Sequence, residues 1–238
     1  MKYFLILFSV LVFGQHIPLA IKINSIVAND SLSTKRRYQI NYQIENKTNN
    51  EVRFFLKPNT FIAQAASSLT LFTVYKMYRN GVFDAMDGPF YEKMYAEHDA
   101  INDLDSTKKE ALILKITERL KTTKKAYLEN YQRNGGTSTD ENWIYKNQNL
   151  LQAAITLKPN EIKKYTIEAS WRRNRYFKIE DSEFYLDEKD KFEIQLALIL
   201  NKSDRAEALS KTEYLAIKND PNFIEGTFLS NITAISFN

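Results

Sequence analysis

Cysteine is absent from the 238 residues, and histidine occurs twice. Without cysteine there is no disulfide framework, no thiol chemistry and no lipidated N-terminal anchor. With only His16 and His98, catalysis or metal binding built on imidazole has almost nothing to work with, because such sites need histidine in quantity or in a fixed spacing. Neither Gly-x-Ser-x-Gly nor His-Glu-x-x-His occurs. A long apolar run is also missing. Tyr3–Phe13 follows Lys2 and spans about eleven residues, the size of a secretory h-region and well short of the roughly 20 a membrane span needs.

That stretch reads as a signal peptide cleaved after Gly14, with cleavage after Ala20 as the alternative. The mature chain would hold about 224 residues, enough to bury on the order of 70% of its unfolded surface without a cystine. Export without cysteine points to a bacterial protein of the periplasm or the extracellular space, not a lipoprotein. The net charge of +4 is spread over mixed acids and bases, which excludes bulk nucleic-acid binding. The sequons at Asn29, Asn46, Asn201 and Asn231 read as turn chemistry in a bacterium.

What is present is period-2 patterning. Tyr38, Ile40, Tyr42 and Ile44 alternate with polar residues, and a turn at 46–50 leads into Val52, Phe54 and Leu56, which reads as a hairpin with one apolar face. Ile21, Ile23 and Ile26 begin an earlier strand. Leu56-Lys57-Pro58-Asn59 reads as its closing turn, and the same four residues recur at 157–160 as a second strand-ending turn. Residues 61–68 fit a helical turn, and 69–78 a strand covered on both faces and followed by Asn80-Gly81. Leu151, Ala153, Ile155 and Leu157 alternate, then Tyr165, Ile167, Ala169 and Trp171, then Phe192 to Leu200. Asp204 is a candidate cap for a short helix reaching about Ile217, and the last strand, 227–237, changes its apolar face near Ser230-Asn231, which predicts a bulge.

Between these strands the period becomes helical. Asp87-Gly88-Pro89 starts one helix, and Thr107 with Glu110 forms a capping box for a second. Ile113, Ile116, Leu120, Tyr127 and Tyr131 form the second helix's stripe, and Asn134-Gly135-Gly136 ends it. The expected architecture is mainly β, an immunoglobulin-like sandwich from residues 21–58 and 150–238, with 59–149 inserted and a helical hairpin at about 89–133. The pattern Tyr-x-Ile-x-Tyr-x-Ile-x-Asn at 38–46, with Leu-Lys-Pro-Asn-Glu at 157–161 leading into Tyr165–Trp171, resembles bacterial immunoglobulin-like sandwiches, including the BsuPI-type proteinase-inhibitor family. The resemblance covers strands at 38–56 and 151–171 and implies a fold. Its motifs carry no functional residue.

The chemistry-bearing candidates are few. Glu97-His98-Asp99 reads as a solvated helix face. Glu92, Asp99, Asp181 and Glu183 supply carboxylates for a hydrolase, without a spacing that makes any two converge. Residues 99–110 have the length of a calcium loop but carry Ile101 and Leu104 where an oxygen ligand and glycine are required. Tyr75, Tyr78, Phe83, Phe90, Tyr91 and Tyr95 form either a stacking platform or a small core under the helices. The sharpest cluster is Trp171, Arg172, Arg173, Arg175 and Tyr176, where guanidinium groups beside aromatics suit phosphate, sulfate or carboxylate on an envelope glycan or lipid. Its plainer reading is the charged end of a strand whose Trp171 lies in the core, and the basic triplet 35–37 reads as a solvated edge. No cofactor or metal is expected. The leading expectation is a non-enzymatic binding or envelope-structural module with an unidentified protein or envelope partner, and the alternatives are a carboxylate hydrolase or an anion binder.

Overall fold

A computed structural model describes residues 17–29, 35–63, 71–84, 105–172, 189–203 and 206–236. It is mainly β. The described strands are β1 (Leu19–Asn29), β2 (Lys35–Asn46), β3 (Val52–Phe55), β4 (Lys57–Ala63), β5 (Phe72–Arg79), β6 (Val82–Asp84), β7 (Ala154–Leu157), β8 (Ile162–Arg172), β9 (Phe192–Leu200) and β10 (Gly226–Ala234). The described helices are α1 (Ser106–Arg133), α2 (Glu141–Leu151) and α3 (Lys211–Asn219), with a short 3-10 turn at Ala206–Ala208.

The strands form a three-stranded sheet β1-β2-β8, a five-stranded sheet β10-β9-β5-β4 with β6 on β5, and a pair β3-β7. One apolar core joins the inward faces of the two larger sheets. Ile21, Tyr38, Ile40, Tyr42, Ile44, Ile167 and Trp171 come from the first, and Phe61, Tyr75, Met77, Ile194, Leu196 and Leu198 from the second. The alternation in β2 sends every second side chain into this core, as period-2 patterning requires. In β5, Thr73, Val74 and Tyr75 are all buried, so this strand is covered on both faces as its apolar composition demands. Asn80 and Gly81, both at positive φ, make the two-residue turn from β5 to β6.

The hairpin expected over 38–56 does not form. β2 pairs with β1 and β8, whereas β3 pairs with β7. The segment 46–50 redirects the chain instead of reversing it. β2 continues into β3, and β7 into β8, as one antiparallel ribbon broken at a corner. Asn46, fully buried, pins that corner. Its side-chain amide donates to the carbonyls of Asn50 (2.7 Å), Leu157 (3.2 Å) and Lys158 (2.9 Å), and its Oδ1 accepts from the N–H and hydroxyl of Thr48. The pattern of apolar residues is identical for a reversing and a redirecting turn, so only the cross-chain partners distinguish them.

The two Leu-Lys-Pro-Asn stretches have different fates. At 157–160 the chain turns, with Asn160 left-handed at φ 57° and the Lys158 carbonyl accepting from the Glu161 N–H. At 56–59 it enters β4, which runs parallel to β5 with an irregular register between Lys57 and Phe61. Pro58 is tolerated there because the ladder is already interrupted. Its carbonyl accepts the Tyr42 hydroxyl at 2.8 Å. Phe61–Ala63 are strand residues and not a helical turn. β4 and β5 fall within the stretch expected as an insertion, yet supply two strands of the five-stranded sheet.

The expected bulge in the last strand is present as a register shift between Leu229 and Ile232. It faces a second shift in β1, between Ile23 and Ser25. Asn231 links them: its amide acts as a peptide group, accepting from the Ile23 N–H at 2.8 Å and donating to the Ile23 carbonyl at 3.3 Å. Asn201 likewise accepts from the N–H and hydroxyl of Ser203. The sequon asparagines at 46, 201 and 231 are thus turn and bulge residues.

A smaller core of Phe55, Leu71, Leu150, Ala153, Leu209 and Phe223 lies under α2 and α3. The strand expected from Leu151 begins only at Ala154, because residues 141–151 are helical, capped by Asp140. Two of the four buried positions of α2 are Asn147 and Gln148, which hides the helical period from any apolar count. Those amides are satisfied: Asn147 donates to the Ala208 carbonyl and to Glu213, and Gln148 links Asn147 to Asn130 of α1. α3 starts with a Ser210–Glu213 capping box; Asp204 lies outside the described residues. α1 is capped by Asp105, which accepts from the Lys108 N–H, and not by Thr107 with Glu110. The expected first helix, 89–103, lies outside the described residues.

Replacing Asn46 by Ala removes the two amide N–H donors that the carbonyls of Asn50, Leu157 and Lys158 share, so urea unfolding should show a loss of about 2–4 kcal/mol. Tyr42 supplies a pH test. Burial raises its phenol well above the ordinary value, against a smaller opposing effect of the hydrogen bond with Thr73 at 3.1 Å. A phenol with a raised folded pKa contributes stability that is complete below the unfolded value, about 10, and is lost as pH rises beyond it. Tyr42→Phe should therefore cost about 1 kcal/mol at neutral pH, by loss of the bond to Pro58, and should flatten the decline in stability above pH about 10.

Candidate functional site

The register of β2 against β8 decides what surrounds the Trp171 region. Arg36 is the partner of Trp171, Lys35 of Arg172, and Arg37 of Ser170. Two basic stretches about 135 residues apart in the chain therefore meet at one end of the three-stranded sheet. Arg37 is exposed on the outer face, while Arg36, only 2% exposed, points to the core side with Trp171. Lys35 and Arg172 are thus like-charged residues at directly opposed backbone positions.

Trp171 itself is a core residue. Its ring lies 5.4 Å from Tyr38, 5.8 Å from Tyr75 and 6.4 Å from Phe61, and its indole N–H donates to the Tyr75 hydroxyl at 3.3 Å. Buried in this way it fixes the last turn of the β8 backbone and offers no stacking face to a ligand. Arg173, Arg175 and Tyr176 lie outside the described residues, and for Arg172 the strand pairing alone is described.

The aromatic platform separates into parts. Tyr75 stacks on Phe61 at 4.2 Å inside the main core, whereas Tyr78 rests against the exposed Phe83 at 5.9 Å and donates to Gln195. Phe90, Tyr91 and Tyr95 lie outside the described residues, as do His16, Glu92, Glu97, His98, Asp99, Asp181 and Glu183. Among the described residues no group of three acidic, histidine or cysteine side chains is placed to hold a metal. Among the carboxylates, Asp105 has a lowered pKa. It is lowered by the hydrogen bonds from Lys108, as a helix cap would be, and is fully exposed. Tyr165, beside Tyr42, is raised mainly by burial and secondarily by Glu161.

The juxtaposition of 35–37 with 171–172 was missed because each stretch, taken alone, reads as a solvated end. The sequence carries no signal for it, because the matching arms, Lys35 to Asn46 and Glu161 to Arg172, 11 residues each, are counted from a hydrogen bond between the Asn46 N–H and the Glu161 carbonyl (3.0 Å) that only the structure reveals. Equal arms measured from one corner place their basic ends together.

Comparison with protein-family models, curated proteins and solved structures returns no match.

Trp171→Ala should destabilise the protein by about 3–5 kcal/mol in urea unfolding, with the aromatic cluster left around a cavity. A mere ligand-stacking tryptophan would leave stability unchanged.

Proposed function

We propose that this chain is an exported, non-enzymatic sandwich of immunoglobulin-like architecture that binds an anionic component of the bacterial envelope. The basic end of its three-stranded sheet is the contact surface. One observation carries the reading: the β2–β8 register that sets Lys35 opposite Arg172 with the exposed Arg37 two positions along, while Arg36 and Trp171 turn to the core. Arg173 and Arg175 come soon after Arg172 in the sequence and add to its positive charge. Guanidinium groups suit such a role, since they stay charged at any working pH and meet phosphate, sulfate or carboxylate in a planar fork. The core on one face of the strands supports the architecture, and the secretory-type N-terminal stretch supports export.

The test uses dextran sulfate as the polyanion. Wild-type protein should be retained on dextran sulfate resin in a salt-dependent manner. The variant R37A/R172A/R173A/R175A should bind about tenfold or more weakly, with its unfolding curve unchanged. The control K146A/K158A/K211A/K218A, which removes four charges from α2, the 157–160 turn and α3, should bind like wild type. Equal weakening by the control would reduce the effect to net charge and reject the sheet end as the site.

A further inference from the structure

α1 is the longest described helix. Its 28 residues extend about 42 Å, whereas α2, its neighbour, has 11 and extends about 16 Å. The bonds joining the two fall in the rear half of α1. Lys124 donates to Asn142 and Asn130 to Gln148, Tyr127 meets Gln152 and Tyr145, and Tyr131 meets Trp143. No residue of the helix is buried.

The stretch ahead of those bonds, residues 106–123, carries none of them and keeps an apolar stripe. Ile113, Ile116 and Leu120 continue the line of Tyr127 and Tyr131 at helical spacing. Ile113 is 48% exposed and Leu120 41%, and Leu114, on the flank, is 63% exposed. The threonines do little to make this stretch polar. The hydroxyls of Thr117, Thr122 and Thr123 donate to the carbonyls of Ile113, Glu118 and Arg119, four residues back.

Charge identifies the surface that this face fits. α1 carries eight lysines and arginines against three glutamates, and Lys115, Arg119 and Lys121 lie among the apolar residues of the front stretch. A helix with exposed Ile and Leu, a basic flank and low overall hydrophobicity is suited to lie in the headgroup layer of an anionic bilayer. It is unsuited to cross one, and no helix among the described residues is long and apolar enough to do so. A neutral protein groove would take the apolar residues but leave this excess of positive charge unmatched.

We propose that the front stretch of α1 docks on an anionic phospholipid surface, laying Ile113, Leu114 and Leu120 into the headgroup region while Lys115, Arg119 and Lys121 meet lipid phosphates. The rear half stays fixed to α2 and joins the bilayer contact to the β body. This surface is separate from the basic sheet end and does not depend on it.

The test is flotation of the full chain with vesicles of phosphatidylcholine alone, or of phosphatidylcholine and phosphatidylglycerol in equal parts. Binding should rise about tenfold or more with phosphatidylglycerol and fall at high salt. The variants I113S/L114S/L120S and K115E/R119E/K121E should each lose about tenfold or more, with unchanged far-ultraviolet circular dichroism. The four-arginine variant of the sheet end should still bind. All forms share the apolar 3–13 stretch, so binding that ignores both lipid charge and the α1 substitutions would come from that stretch and overturn the proposal. Loss of binding in the four-arginine variant, with both α1 variants still bound, would do the same. So would self-association of the wild type through α1 without vesicle binding. Should either α1 variant lose helicity, the wild type's dependence on phosphatidylglycerol and salt decides the matter, and its absence rejects the proposal.

Discussion

The fold turns on the Asn46 corner. A polar side chain that is wholly buried survives only when its donors and acceptors are met, and Asn46 meets them with the backbone of both arms of the β2–β3 and β7–β8 ribbon. The Asn46 N–H reaches Glu161 on one side of the break, and its side chain reaches Leu157 and Lys158 on the other. With the corner tied, both arms pack on the main core, β3 and β7 through Val52, Phe54 and Leu157, while Phe55 turns to the smaller core under the helices. A reversing turn at the same place would have put β3 beside β2 and left β7 without its partner.

The same corner sets the register of everything beyond it. From Asn46 back to Lys35 the β2 arm spans about 35 Å, and β8 runs beside it residue for residue to Arg172. A slip of one position would turn Tyr38, Ile40 and Tyr42 out of the core, so the apolar alternation holds the ladder in place along its whole length. The basic residues at the far end thus meet as a consequence of packing at the near end. The opposite edge is secured differently, by one amide. Asn231 supplies β1 with the hydrogen bonds a neighbouring strand would have given at Ile23, so two bulged edges become a seam.

The helical region follows another logic. α2 is tied to the smaller core by the buried Leu150 and α3 by the partly buried Tyr214 and Ile217, and the amide chain through Asn147 and Gln148 links the two. α1 has no buried residue and is held over its rear half only. Among the described residues, α1 is held by the cap at Asp105, by its own backbone and by α2.

From the sequence alone, the alternation of apolar residues determined where most strands lie and which face each buries, because side chains on a strand point in turn to opposite sides. The doubled cover of β5, the Asn80-Gly81 turn and the bulge at Ser230-Asn231 were legible for the same local reason. α2 was not, since Asn147 and Gln148 occupy its buried face and only their partners on α1, the 3-10 turn and α3 make that burial tolerable. Strand pairing was beyond reach for a deeper reason. Leu-Lys-Pro-Asn turns the chain at 157–160 and opens a strand at 56–59, and a period-2 pattern is equally content beside any partner. The partners are chosen by long-range contacts, so only the tertiary structure decided that the 38–56 segment spans two sheets and that its basic end meets Arg172.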